Sequence, residues 1–341
     1  PHSMIVNSEK ELFLFGTTGS LDFPTTANSY QSIFKGGPSF SPSGIGASFP
    51  AGSDIFISKL SKEGSTLLAS TFIGGTGNDG LNTAAALKYN YADEVRGEID
   101  IDKNNNIFIA TSTNSTDFPI KNGFQISSSG SQEGCILKLD NQLTSIIWSS
   151  YLGGTNNDAI YSLALDSEDN IYVTGGTNSL DFPITPGAYL TTHQGGIKAD
   201  AFVSMISHDG SQIIASSYFG SNQYDQSYFV EISSKNDIYL FGQTQAPGNS
   251  LVFNTTYFQT NGGHFISVFS QDLTSLVKST VFGTGKGTPD ISPTAFLVDV
   301  CDKVYIAGWG SNLGGPLSTL NLPITPLTAF QNTTDGNDFY L

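Results

Sequence analysis

Leu163-Ala164-Leu165-Asp166 and Ile171-Tyr172-Val173-Thr174-Gly175 are two short runs rich in apolar, β-branched and aromatic residues, separated by Ser167-Glu168-Asp169-Asn170. Runs of that make-up, bounded by Asp, Asn, Ser and Gly, read as two strands of a hairpin. The same columns stand at Met4-Ile5-Val6-Asn7 with Leu12-Phe13-Leu14-Phe15-Gly16, and at Ile99-Asp100-Ile101-Asp102 with Ile107-Phe108-Ile109-Ala110. They return at Val230-Glu231-Ile232-Ser233 with Ile238-Tyr239-Leu240-Phe241-Gly242, and at Phe296-Leu297-Val298-Asp299 with Val304-Tyr305-Ile306-Ala307-Gly308. From Phe108 the aromatic column advances by 64, 67 and 66 residues, and the first interval, Phe13 to Phe108, is 95. Self-similarity at such a period is the mark of a repeat architecture.

Two more strands complete each unit, one at Asp54 to Leu60 and one at Leu67 to Ile73 in the first, echoed for instance by Cys135 to Leu139 and Ile146 to Leu152. Four strands in about 66 residues is the make-up of a propeller blade. The fold is therefore expected to be all-β, a single β-propeller domain over 5–341. Its five blades are expected near 5–80, 99–158, 163–225, 230–290 and 296–341. The surplus in the first interval is an insertion at 81–98 containing Ala84-Ala85-Ala86-Leu87-Lys88, expected as a short helix on one face. The count reaches nineteen strands, with blade five lacking its outermost. The alternative is a six- or seven-bladed ring continuing past Leu341. Pro1-His2-Ser3-Met4 resembles a cloning scar leading into the first strand.

Composition agrees. Only 13% of the 341 residues are charged, about half the globular norm of roughly 25%, against 37 Gly, 24 Phe and 14 Tyr. That disfavours helical bundles and helix-rich α/β enzymes, while 38% hydrophobic residues exclude global disorder. A net charge of −16 repels nucleic acid and anionic membrane surfaces, and no apolar run is long enough for a membrane-spanning helix. The two cysteines, Cys135 and Cys301, are both expected as free buried thiols in strands.

Three units continue past the hairpin as Gly16-x-Thr18-x-Ser20-x-Asp22-Phe23-Pro24, Thr113-x-Ser115-x-Asp117-Phe118-Pro119 and Gly175-x-Thr177-x-Ser179-x-Asp181-Phe182-Pro183. Unit four departs, with Gln245-Ala246-Pro247-Gly248-Asn249, and unit five keeps only Leu322-Pro323-Ile324-Thr325-Pro326. On these residues the chain resembles the SBBP repeat family of bacterial β-propellers. Its last unit further resembles large exported surface proteins of Bacteroidetes. The resemblance implies a propeller, an extracellular or cell-surface location and neighbouring domains in a longer polypeptide. It implies no chemistry, since the family is defined by architecture.

Candidate chemistry falls into three groups. Asp79, Asp158, Asp225 and Asp290 recur in the loop leading to each next inner strand. They could form an acidic ring holding Ca²⁺, or each could cap its own turn. Asp102-x-Asn104-x-Asn106 and Asp166-x-Glu168-x-Asn170 resemble the start of a calcium loop but lack its glycine and distal Glu, and turn chemistry is preferred. Asp100 and Glu231 are acids in an inner-strand column otherwise holding Ile5, Ala164 and Leu297, and could serve as the acid and base of a glycoside hydrolase. Trp309, in the Gly308-Trp309-Gly310-Ser311-Asn312 turn, with Tyr89 and Tyr91 in the insertion, could stack on sugar rings, whereas Trp148 belongs to packing. The four histidines stand singly. The expectation is a monomeric, non-catalytic module presenting loops to a surface glycan or protein ligand, with the hydrolase as the alternative.

Overall fold

The computed structural model describes residues 1–42, 46–311, 317–325 and 329–341, so Asn312 and Pro326, named above, lie outside the described residues. Five antiparallel sheets follow one another along the chain. Blade one comprises β1 (Ser3–Val6), β2 (Leu12–Thr18), β3 (Asp54–Leu60) and β4 (Leu67–Ile73). Blade two comprises β5 (Glu98–Ile101), β6 (Ile107–Thr113), β7 (Glu133–Leu139) and β8 (Ile146–Leu152). Blade three holds β9 (Asp158–Leu165), β10 (Ile171–Thr177), β11 (Asp200–Ile206) and β12 (Ile213–Phe219). Blade four holds β13 (Asp225–Ile232), β14 (Ile238–Thr244), β15 (His264–Phe269) and β16 (Leu276–Phe282). Blade five has three described strands, β17 (Ser292–Val298), β18 (Val304–Trp309) and β19 (Phe339–Tyr340). The fold is an all-β five-bladed propeller with almost no helix.

Strand alternation explains how the blades stack. Along the second strand, side chains of even and odd positions point to opposite faces. Phe108 and Ala110 of β6 pack forward with Ile136 and Trp148 onto Ile160, Leu163, Ile171 and Val173 of blade three. Ile107 and Ile109 of the same strand pack backward onto Phe13, Phe15, Ile55 and Ile57 of blade one. Tyr172 joins the core between blades three and four, and Phe241 and Phe282 meet Phe296 and Val298 between four and five. Hydroxyl pairs tie the two outer strands together: Ser58 to Ser70 at 2.9 Å, Ser204 to Ser216 at 2.7 Å and Ser267 to Ser279 at 2.8 Å. A chain rich in Ser and Thr and poor in charge follows from repeating that blade.

At the bulge between β9 and β10 the register shifts at Thr174/Gly175. A Cβ on Gly175 would lie 1.9 Å from the Ala159 carbonyl oxygen, which is why a glycine stands in this column.

Three local expectations need correction. The insertion forms no α-helix. Its helical content is two single 3-10 turns, Ala85–Leu87 and Asp93–Val95, neither with a side-chain N-cap hydrogen bond. Cys135 is buried in β7 as expected, but Cys301 is exposed in the turn between β17 and β18. Trp309 is the last residue of β18, paired with Phe339, rather than a turn residue.

Candidate functional site: an axial plug and the cavity beside it

The repeated Asp stands at the four junctions between consecutive blades. Asp79 Oδ2 accepts the Gly75 N–H and the Ser115 hydroxyl, both at 2.8 Å, and its Oδ1 accepts the Thr113 hydroxyl. Asp158 accepts the Gly154 N–H and the Ser179 hydroxyl at the same 2.8 Å. The Thr76 and Thr155 N–H groups donate in turn to Asp117 and Asp181. The Thr-x-Ser-x-Asp-Phe-Pro motif is thus a staple holding the loop of one blade against the second strand of the next. Tyr151 completes it, its hydroxyl donating to the Ser115 carbonyl at 2.8 Å and accepting the Phe118 N–H at 3.1 Å.

Where unit four loses the motif, the loop compensates. Ala246 occupies the Ser column, and Ser221, in the column of Gly75 and Gly154, donates its hydroxyl to Asp225 Oδ2 at 2.7 Å. Thr284 does the same for Asp290 at 2.6 Å. A Cβ on Gly75 would meet Asp117 Oδ1 at 2.3 Å, so a side chain is possible there only after the motif acid is gone.

Of the two readings of Asp79, Asp158, Asp225 and Asp290, an acidic ring or separate turn caps, the hydrogen bonds follow the second, each acid accepting an N–H of its own loop. Each carboxylate accepts N–H or hydroxyl donors of its own loop, and those of Asp79, Asp158 and Asp225 also accept a hydroxyl of the following blade. Among the described residues no three His, Cys, Asp or Glu side chains converge as metal ligands. Asp102 and Asp166 likewise cap their own turns, each accepting two backbone N–H groups and a side-chain amide. A second carboxylate flanks each of the first three locks: Asp54, Glu133 and Asp200 gather the N–H groups of the long loop ahead of the third strand. Burial pushes Asp79, Asp158 and Asp200 up to about 7 and Asp225 to about 6, against the pull of the hydrogen bonds they accept. In blade four His264 takes the place of that second acid. Its Nε2 accepts the N–H groups of Asp290 and Ile291, and burial lowers its pKa to about 3.

The insertion departs from the repeat and builds the most distinctive site. It crosses to the inner strands of blades three, four and five. Tyr161 donates to the Leu87 carbonyl at 2.6 Å, and Gln226 reaches the same oxygen at 3.1 Å. Asn90 and Gln243 form a reciprocal amide pair at 2.7 and 3.0 Å. Asp93, fully buried, accepts the Tyr89 and Asn90 N–H groups at 2.8 and 2.7 Å and the Tyr228 hydroxyl at 2.9 Å. Arg96 Nε donates to Asp93 at 2.7 Å, and the guanidinium lies over the Tyr228 ring and reaches the Pro293 carbonyl at 3.3 Å. A segment hydrogen-bonded to three blades through Tyr161, Gln226, Tyr228, Gln243 and Pro293 is a plug, held in one geometry.

Beside the plug lies a cavity of about 380 Å³, bordered by Tyr91, Arg96, Glu98, Tyr228, Pro293 and Trp309. Tyr91 and Trp309 meet edge to face with centroids 5.7 Å apart. Of the three aromatic candidates these two line the cavity, whereas Tyr89 stacks on Tyr224 at 5.0 Å and does not. Glu98 was missed by sequence reasoning, although it stands two residues before Asp100 and so on the same strand face. It accepts the Ser3 hydroxyl at 2.5 Å. Burial, with the Asp100 charge, pushes Glu98 up to about 7. Burial, with the charges of Glu98 and Asp100, does the same to Glu231, and burial also raises Asp100. The structure thus brings Asp100 and Glu231 within electrostatic reach of each other and adds Glu98. Only Glu98 borders the cavity.

Residues 147–183 match the model of the SBBP β-propeller repeat. The match runs from β8 through the Asp158 loop to Asp181-Phe182-Pro183, so it frames one complete junction lock. No curated protein matches the chain. Among solved structures, a protein of unknown function from Dyadobacter fermentans DSM 18053 aligns over 92% of this chain and 72% of its own, with 14% identity and a TM-score of 0.46. A glucose dehydrogenase aligns over 70% of this chain and 78% of its own, with 11% identity and a TM-score of 0.24. A GH43_12 protein from a capybara gut metagenome aligns over 84% and 49%, with 11% identity and a TM-score of 0.29. Residues 147–183 are an SBBP β-propeller repeat, and the chain that carries them is a five-bladed β-propeller.

Proposed function

We propose that the protein is a non-catalytic binding module of an exported cell-surface protein, and that its ligand is a glycan held at the axial cavity. The observation carrying this reading is the Tyr91–Trp309 pair, two aromatic faces at the edge of a 380 Å³ cavity that also offers the Arg96 guanidinium and the Glu98 carboxyl. Sugar recognition uses apolar ring faces for stacking and a few fixed polar groups for orientation, in pockets of about this size. The rigid blades and the plug hold those groups without a cost of ordering on binding. The test is glycan-array screening followed by calorimetry, with Trp309→Ala and Tyr91→Ala. A glycan whose affinity falls at least about tenfold in both variants supports the reading, and binding untouched by either overturns it.

A second reading has its own observation. Burial raises all three of Glu98, Asp100 and Glu231, the Asp100 charge adds to it at Glu98 and the Glu98 and Asp100 charges add to it at Glu231, so that Glu98 and Glu231 stand near 7, as a general acid at neutral pH requires. A glycoside hydrolase would show turnover abolished by Asp100→Asn with Glu231→Gln. Binding without turnover in the unmodified protein leaves the non-catalytic reading standing.

A further inference from the structure

The blade junctions are not alike. At four of them the aromatic column of one blade packs forward onto the next: Phe13 and Phe108 in fully buried cores, Tyr172 likewise, and Tyr239 half-buried against Val304 and Ile306. The fifth member of that column, Tyr305, is 52% exposed, and its neighbour Leu297 on β17 is 54% exposed. In the backward-facing columns Ile107, Ile109, Ile171, Val173, Ile238 and Leu240 are fully buried against the preceding blade and Val304 and Ile306 are half-buried against blade four, whereas the half-buried Leu12 and Leu14 of blade one have no blade-five core to pack on among the described residues. On the inner strand Ile99, Leu163, Val230 and Phe296 are buried, but Met4 and Val6 are 68% and 53% exposed. Among the described residues no hydrophobic core joins blade five to blade one.

From this we infer that the gap between blade five and blade one is a docking cleft for one further blade of the same repeat. The two faces flanking it are not generic apolar patches. One presents the forward columns that meet a following blade at the other junctions, and the other presents the backward columns that meet a preceding one. A single SBBP-type blade carries both complements, an aromatic with small residues on its forward face and a β-branched pair on its backward face. Blade three shows the fit, since its Ile171 and Val173 fill the forward face of blade two while its Tyr172 fills the backward face of blade four. Exposed apolar surface of this kind is uncommon unless something covers it. The outer edge of β19 is also unpaired among the described strands of its sheet, leaving room for the strand that precedes each blade loop.

The test is hydroxyl-radical footprinting of the 341-residue chain, and of the same chain extended after Leu341 by a copy of residues 140–219, which carry the outer strand β8 and the whole of blade three. The expected result is rapid oxidation of Met4 and Tyr305 in the shorter chain and at least about tenfold protection of both in the longer one. A buried reference, Tyr172, stays unreactive in both, and the longer chain has a higher Tm. Placing Tyr305→Asp in the extended chain must remove the protection of Met4. Three results overturn the proposal. Met4 and Tyr305 could be as protected as Tyr172 in the monomeric 341-residue chain, meaning the ring closes by itself. Sedimentation could show that chain dimerising with Tyr305 protected, meaning a second copy is the occupant. The added unit could be digested by protease with Met4, Tyr305 and Tm unchanged, meaning the cleft does not receive it.

Discussion

Ser115 Oγ donates to Asp79 Oδ2 at 2.8 Å while accepting the Gly77 N–H at 2.8 Å, so one hydroxyl on the blade-two side fixes both the acid and the backbone of the blade-one loop. Ser115→Ala leaves a buried carboxylate oxygen and an N–H short of partners and should cost about 1–3 kcal/mol. Tyr151→Phe should cost a similar amount, because the Ser115 carbonyl and Phe118 N–H lose the same hydroxyl. Chemical denaturation of the two variants checks both values, and an effect below about 0.5 kcal/mol in either would show the staple to be dispensable.

Compensation inside the chain makes a second prediction. Ser221→Gly should weaken the lock on Asp225 by about 1 kcal/mol, and Ala246→Ser in that background should restore it, since position 246 then matches Ser115 and Ser179. A double-mutant cycle reads the coupling, and purely additive effects would refute the exchange.

Dependence of stability on pH follows from the raised carboxyls. A group whose folded pKa exceeds its unfolded value holds its proton longer in the folded state, so stability falls as pH rises from about 4, the unfolded value, through the folded value. With Asp79, Asp158, Asp200, Glu98 and Glu231 near 7 and Asp225 near 6, the loss falls between about pH 4 and pH 7. Each group contributes on the order of a few kcal/mol. Asp117, Asp181 and Asp209 have lowered pKa values and so withdraw stability only below about pH 4. The Tm should therefore be several degrees higher at pH 5.5 than at pH 8. Asp79→Asn, which cannot ionise, should flatten part of that slope, and a Tm that rises with pH would contradict the assignment.

The plug supplies a fourth prediction. Asp93→Ala strands the Arg96 guanidinium and the Tyr228 hydroxyl and should destabilise by about 3–5 kcal/mol, the usual cost of breaking a buried pair. Replacing both partners, Asp93→Ala with Arg96→Met, should recover part of that loss. Thermal unfolding of Asp93→Ala, Arg96→Met and the double variant measures it, and a double variant less stable than the sum of its parts would argue against pairing as the cause.

Much of the architecture was legible because it is periodic. The column of Phe13, Phe108, Tyr172, Tyr239 and Tyr305 located every second strand, and the three described strands of blade five were countable too. The functional region was harder to read for the opposite reason. Residues 81–98 occur once and lack the period of a helix or a strand, and their partners, such as Gln226, Gln243 and Pro293, are adjacent only in three dimensions. Asp79 and its counterparts left two readings open, since recurrence alone does not say whether acids face one another or cap their own turns, and the structure has them capping. Glu98 was within reach, because Asp100 had already been singled out two positions away on the same strand face.

Arg96 finds its carbonyl at Pro293, 197 positions downstream. During synthesis from the N-terminus the first four blades can be finished while the plug still lacks its last acceptor. The axis is thus completed by long-range closure rather than blade by blade. A chain that is modular in sequence is, at its centre, tied across 197 positions, and a fault in blade five is felt in the segment that introduces blade two.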